Sequence, residues 1–311
     1  MEGNLFQHSI KKSFNSYLGV IFAVLAAICF STKAVLVKLV YQYEVDVYTA
    51  LMLRMVFALP FFIVIAWLNR TEAKSPDLNI KDYCLLVIMG ILGYYLSSLF
   101  DFIGLKYIST GLERLIVFVY PTIVVIIGAV VFKKKIQKIE IISLLLTYIG
   151  VLFVFYHDIW STSKPNGVLG ATFVFFSTIT YALYLVGSEN LIHKFGVKRF
   201  TCYAMIVSSI AVIIHCVVMN GFKSLNLPWE VFALSILMAL FSTVLASLLL
   251  SSAINLIGSG KTSIIGSVGP IATITLAYIF LGEQITVFEI MGTILVLTGV
   301  LTVSAYSNKA V

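Results

Sequence analysis

Lys33, Asp101 and Arg114 stand inside apolar runs, where each charge costs about 2.5–3.5 kcal/mol to insert on translocon scales. Groups of both signs at similar depth can together bind a charged or zwitterionic small molecule. They are expected to converge on the outer half of a central cavity. Lys33 has a second reading, its ammonium snorkelling to the interface on its long stem. Arg54 lies about two turns into its run and is expected to anchor the structure by pairing with Asp46 or Glu44. Glu113, beside Arg114, starts a run where an acidic residue ordinarily just complements the helix dipole. Asp101 or Glu113 is the alternative carrier of a coupling proton.

Neutral polar residues fall on helical stripes. Tyr94, Ser97, Ser98 and Asp101 follow i, i+3, i+4, i+7 spacing and share a face. Ser177, Thr180, Tyr181, Tyr184 and Ser188 do likewise, and Thr243, Ser247, Ser251 and Asn255 recur every four residues. Thr262, Ser263, Gly266 and Ser267 precede Pro270. Tyrosine supplies a ring to stack and a hydroxyl to orient a polar substrate. The candidate binding set is therefore Lys33, Tyr94, Ser98, Asp101, Arg114, Thr180, Tyr181, Tyr184, Ser247, Ser251, Asn255 and Ser263. For any single Ser or Thr, close helix packing with interhelical hydrogen bonds is the competing explanation. Pro121 and Pro270 remove a backbone donor and disturb the preceding turn, so they are candidate hinges or static kinks.

The elements that must position these side chains follow from composition. The 311 residues are 60% hydrophobic and 11% charged, with mean hydropathy +1.04, against about 45–50% and 25% for a soluble chain. Such a chain needs lipid as its solvent. Apolar runs long enough to span recur near 17–39, 47–68, 83–105, 111–132, 138–156, 167–188, 200–220, 230–254, 261–281 and 286–306. All should be helices, because lipid offers the backbone no hydrogen bonds. Most of the 21 Lys and Arg residues then fall in the segments on the N-terminal side. The positive-inside bias thus places both termini in the cytoplasm of a cell (inner) membrane protein. It also explains the net charge of +7 without a nucleic-acid partner. The four cysteines form no CxxC pair, and neither a metal site nor a cofactor is indicated. No HExxH, GxSxG or P-loop pattern appears, which argues against an enzyme.

The chain repeats itself. Gly111 to Val154 aligns with Gly260 to Val303 at a constant offset, pairing Pro121 with Pro270 and Glu140 with Glu289, and Ser98 meets Ser247. A tail, 1–16, would precede two five-helix halves, 17–156 and 167–306. An odd number of spans makes such halves inverted, as in many transporters with substrate near the midplane. The stretches AAICFSTKAVLVK, ALMLRMVFALP, GLKYISTGLERLIVFVYP and GPIATITLAYIFLGEQITVFEIMGTILVLTGV resemble the EamA-type branch of the drug/metabolite transporter superfamily over nearly the whole chain. Two departures stand out: Phe30-Ser31 replaces a frequent Trp-Gly pair, and Lys133-Lys134-Lys135 replaces a Gly-Glu turn. The resemblance implies an all-α integral membrane protein of about ten helices. A central cavity would lie between the first, third, fourth, sixth, eighth and ninth, with the fifth and tenth peripheral. It implies a secondary transporter of a small polar metabolite, amino-acid-like or nucleotide-like, with a possible coupling ion or counter-substrate. A channel-like facilitator and a non-transporting scaffold are the alternatives.

Overall fold

A computed structural model describes residues 2–69, 78–131, 138–162, 166–221, 226–266 and 268–307. Every regular element among them is helical, as a backbone without water requires. In chain order the helices are α1 (Glu2–Tyr41), α2 (Val47–Leu68), α3 (Ile80–Leu105), α4 (Thr110–Val117), α5 (Tyr120–Val131) and α6 (Lys138–Thr162). They continue with α7 (Gly167–Phe195), α8 (Val197–Asn220), α9 (Trp229–Ile265), α10 (Val268–Leu281) and α11 (Val287–Ser307). Ser16–Tyr41 of α1 and the whole of α2, α3, α7, α8 and α9 are long and apolar enough to cross a membrane. Tyr148–His157, α10 and Val287–Gly299 are apolar but shorter. Large apolar side chains such as Ile214, Val218, Ile279 and Phe280 face outward, while serines, threonines and charges are buried. That inversion of the soluble pattern defines a multi-pass membrane protein.

Several boundaries differ from the sequence expectation. The first helix runs back through the tail to Glu2 rather than starting near residue 17. The run expected at 111–132 is split, because Phe118 leaves the helix (φ −71°, ψ 1°) just before Pro121. In the second half, α9 bends at Gly258, whose φ of 81° lies in the region glycine adopts without penalty. The helix then breaks again at Gly266, ahead of Pro270. Both prolines therefore follow a helix interruption. Ser267, the basic run Lys133-Lys134-Lys135 and the charges of residues 70–77 lie outside the described residues.

Two turns widen to π-helix, Ile91–Leu96 in α3 and Leu240–Leu245 in α9. They fall at the offset that relates Pro121 to Pro270. π-Turns often accompany functional sites, because they rotate the side chains that follow.

Small residues set the closest crossings, as expected where lipid supplies little hydrophobic drive between helices. A Cβ on Gly104 of α3 would stand 2.8 Å from the Gly170 carbonyl oxygen of α7, and one on Gly170 3.0 Å from that of Gly104. Gly150 of α6 and Gly292 of α11 form a second such pair, at 2.8 and 2.9 Å. Gly104→Val should force α3 and α7 apart and cost about 1–3 kcal/mol. Thermal unfolding of the purified protein in detergent would show it as a lowered midpoint, and an unshifted midpoint would contradict the crossing.

Polar latches lie at two levels along α1. Near its C-terminus, Lys38 donates to the Ile108 carbonyl (2.7 Å), and beside it Thr110 donates to Glu283 (3.0 Å). Midway along the helix, Gly19 packs on Ile257, next to Ser259, whose amide donates to Glu189 (3.1 Å). The charged interior lies between these levels.

Candidate functional site

α1 packs along α9 and α10, and its Phe30 and Lys33 face a cavity shared with Tyr94, Ser97 and Ser98 of α3. Arg54 enters from α2 and Arg114 from α4. Tyr120 of α5, Ser177 and Tyr181 of α7, and Thr262 and Gly266 beyond the Gly258 bend complete the walls. The break between α4 and α5 explains how one membrane segment contributes both Arg114 and Tyr120: each half-helix presents its own face.

Charge is concentrated at one end of this cavity. The Lys33 ammonium lies 2.6 Å from an Asp101 carboxylate oxygen and 4.0 Å from Glu113. Lys33 is therefore ion-paired inside the bundle rather than snorkelling to an interface. Asp101 and Glu113 are 1% and 0% exposed, and their carboxyl groups approach within hydrogen-bonding reach of each other. Glu113 is more than a complement to the helix dipole. Ser109 caps α4 by accepting from the Leu112 amide, leaving Glu113 one turn inside and facing α1 and α3. The sequence offers it only as an alternative proton carrier, beside Arg114 at the start of its run.

Arg114 is 6% exposed. One guanidinium nitrogen donates to Ser31 Oγ at 3.0 Å, and Ser31 in turn donates to the Ala27 and Gly269 carbonyls. Its Nε has no hydrogen-bond partner among the described residues. A Cβ on Gly269 would come within 3.2 Å of the guanidinium, so glycine there makes room for it. Arg54 does not pair with Asp46 or Glu44. Its Nε donates to Thr243 Oγ1 (2.8 Å), a second nitrogen donates to Ser98 Oγ (3.3 Å), and its guanidinium lies 5.5 Å from the Phe102 ring centroid. The reason is local: Asp46 caps α2 by accepting from the Tyr48 and Thr49 amides, and also accepts from Asn220.

Tyrosines line the middle. Tyr120 meets Tyr181 edge-on at 5.2 Å and donates to the Ser263 carbonyl at 2.9 Å. Tyr94 and Tyr184 hydroxyls are 2.8 Å apart. Tyr184 itself is fully buried behind Gly93, where any Cβ would overlap its ring. It supports Tyr94 rather than facing the cavity.

Lys33, Tyr94, Ser98, Arg114 and Tyr181 thus line the cavity, and Asp101 reaches it through Lys33. The remaining candidates lie elsewhere. Thr180, Ser247 and Ser263 donate back to carbonyls of their own helices, those of Ser177, Val244 and Gly260. Ser251 accepts from Thr201 of α8 at 2.7 Å and also hydrogen-bonds Tyr94 and Tyr184, so it stands directly behind the tyrosines of the cavity. Asn255 is exposed. For Thr180, Ser247 and Ser263 the small-residue packing explanation fits better. Arg54, Ser97, Ser177, Tyr120 and Thr262 join the cavity; four of them belong to the polar stripes or charges visible in the sequence, and Tyr120 is flagged only by Pro121 beside it.

A lipid-solvated bundle that keeps buried cations, tyrosines and hydroxyls around an internal cavity has the architecture of a membrane transporter. Comparison with known proteins agrees. The chain belongs to the EamA-like transporter family, whose model matches residues 17–156 and again 168–305. It is 29% identical to the uncharacterized transporter YcbK of Bacillus subtilis (strain 168), over 88% of each chain. It is 30% identical to the uncharacterized transporter YyaM of the same organism, over 80% of this chain and 82% of that one. A solved crystal structure superposes with a TM-score of 0.67 over 94% of this chain and 98% of its own at 13% identity, so the fold is shared.

Proposed function

We propose that this protein is a secondary transporter that moves a small organic metabolite with an anionic group, amino-acid-like or nucleotide-like, by alternating access. Two inverted five-helix halves, 17–156 and 167–306, would supply about ten membrane-spanning helices around the cavity, with both termini cytoplasmic. The observation that carries the reading is Arg114: a buried guanidinium on the cavity wall whose Nε has no hydrogen-bond partner among the described residues. Such a donor calls for a carboxylate or phosphate, and guanidinium geometry suits either. Tyr94, Tyr120 and Tyr181 would hold the rest of the molecule by stacking and hydroxyl contacts.

Counterflow in proteoliposomes tests this. Vesicles loaded with unlabelled amino acids and nucleotides are presented with labelled ones, and transient accumulation above equilibrium identifies a carrier and its substrate class. Saturation without overshoot would instead mark a facilitator.

The helix breaks ahead of Pro121 and Pro270 support a pair of hinges. Pro270→Ala restores a backbone donor and should slow exchange by about tenfold while leaving substrate affinity nearly unchanged. Exchange at the wild-type rate would reduce the proline to a static kink.

A further inference from the structure

We infer that Asp101 and Glu113 form a proton-binding site coupled to substrate binding at Arg114. This coupling rests on the transporter reading above, while the site itself is seen in a separate place. Glu113 is completely buried, and among the described residues no hydroxyl, amide or other N–H group donates a hydrogen bond to either of its oxygens. Lys33, 4.0 Å away, is engaged 2.6 Å from Asp101. Among the described residues its hydrogen-bonding neighbour is the Asp101 carboxyl, which shares Lys33 with it. Two carboxylates cannot face each other in a dry interior without a proton between them.

The arrangement that satisfies every group has Glu113 as the acid, its O–H donating to the Asp101 carboxylate, which also pairs with Lys33. Charge then balances within the triad, and Arg114 is left as the cation for an incoming anion. The surrounding groups are consistent with this. Lys33 and Tyr41 face the pair from α1, Arg54 acts on Asp101 from α2, and Arg114 acts from the same helix as Glu113. Tyr148 of α6 and Tyr181 of α7 lie on the helices that pack against α4. Glu283 hydrogen-bonds Thr110 at the start of α4, and Glu289 of α11 lies against Gly111.

Release of the proton leaves two carboxylates against one lysine, adding a negative charge near Arg114. Uptake of one proton, converting carboxylate to carboxylic acid, removes it. An anion on Arg114 and a proton on the pair should therefore favour each other, and linkage makes the effect reciprocal. Lys33, 13% exposed at the cavity wall, is the route by which water reaches the pair. The result is cotransport of proton and anion, driven by a pH gradient.

Two measurements decide it. Infrared spectra of the purified protein in lipid, titrated with pH, should show a carboxylic-acid carbonyl band that disappears as the proton leaves and is missing in Glu113→Gln and Asp101→Asn. In proteoliposomes, the labelled amino acid that gives counterflow should accumulate when the outside is acidic. Glu113→Gln should lower the ratio of gradient-driven uptake to exchange by roughly tenfold or more. A wild-type protein with no titrating carboxyl band overturns the proposal whether or not the variants fold. So does a Glu113→Gln protein that keeps the wild-type ratio. A titrating band that Glu113→Gln removes, in vesicles that exchange none of the probes, supports the proton site and counts against the transporter reading instead.

Discussion

Arg114→Gln should leave a folded protein that no longer holds its substrate. Truncating one partner of a buried, hydrogen-bonded charge pair costs about 2–5 kcal/mol, which is a loss of roughly 30-fold to several thousandfold in affinity. Glutamine keeps a donor for Ser31, which now receives a hydrogen bond from Arg114 at 3.0 Å, so the contact between α4 and α1 can survive. What disappears is the cation and the Nε–H that no group among the described residues uses. Arg114→Lys separates the two contributions. It keeps the charge as a point but loses the planar fork, so it should recover part of the affinity and little of the discrimination between anions. Counterflow half-saturation for wild type, Arg114→Gln and Arg114→Lys would be compared, with thermal unfolding to verify folding. Wild-type half-saturation in Arg114→Gln would remove the anion site and with it the proposed substrate class.

The second large effect concerns Lys33. Lys33→Ala leaves Asp101, 1% exposed, without the ammonium 2.6 Å away. Removing one member of a buried pair costs about 3–5 kcal/mol, mostly because the orphaned charge stays buried. If that is the cause, the double variant Lys33→Ala/Asp101→Asn should regain most of the lost stability, since neither charge remains. A double-mutant cycle on unfolding in detergent measures the coupling directly. Equal destabilisation in the single and double variants would mean that Lys33 acts through its packed stem and not through its charge. Arg54 gives the comparison: its hydrogen-bond partners, Thr243 and Ser98, are neutral hydroxyls, so its removal breaks no direct ion pair and weakens only its longer-range attraction to Asp101.

Much of this site was visible in the chain. Charges inside apolar runs are costly wherever the helices end up, so Lys33, Asp101 and Arg114 could be selected from cost alone. Tyr94, Ser97 and Ser98 share a helical face by spacing, and they line one cavity together. Spacing along a helix says which residues share a face, but not what that face meets. Tyr184 shares the face of Tyr181 yet lies behind Gly93. Ser247 and Ser263 satisfy themselves on their own backbones. Asn255 continues the stripe of Ser251 but falls just before the bend at Gly258, where it turns outward.

Composition alone makes the protein a lipid-solvated bundle of helices, because a helix lets so apolar a chain satisfy its backbone hydrogen bonds without water. Sequence also locates the interruptions near Pro121 and Pro270, since proline's missing donor acts locally. The partnerships come from packing: Lys33 with Asp101, Asp101 with Glu113, Arg54 with Thr243 rather than Asp46. These groups come from different helices, and their meeting depends on the rotation and depth of each helix in the bundle. Contacts such as Gly104 on Gly170 set those quantities, and no periodicity within a single helix encodes them.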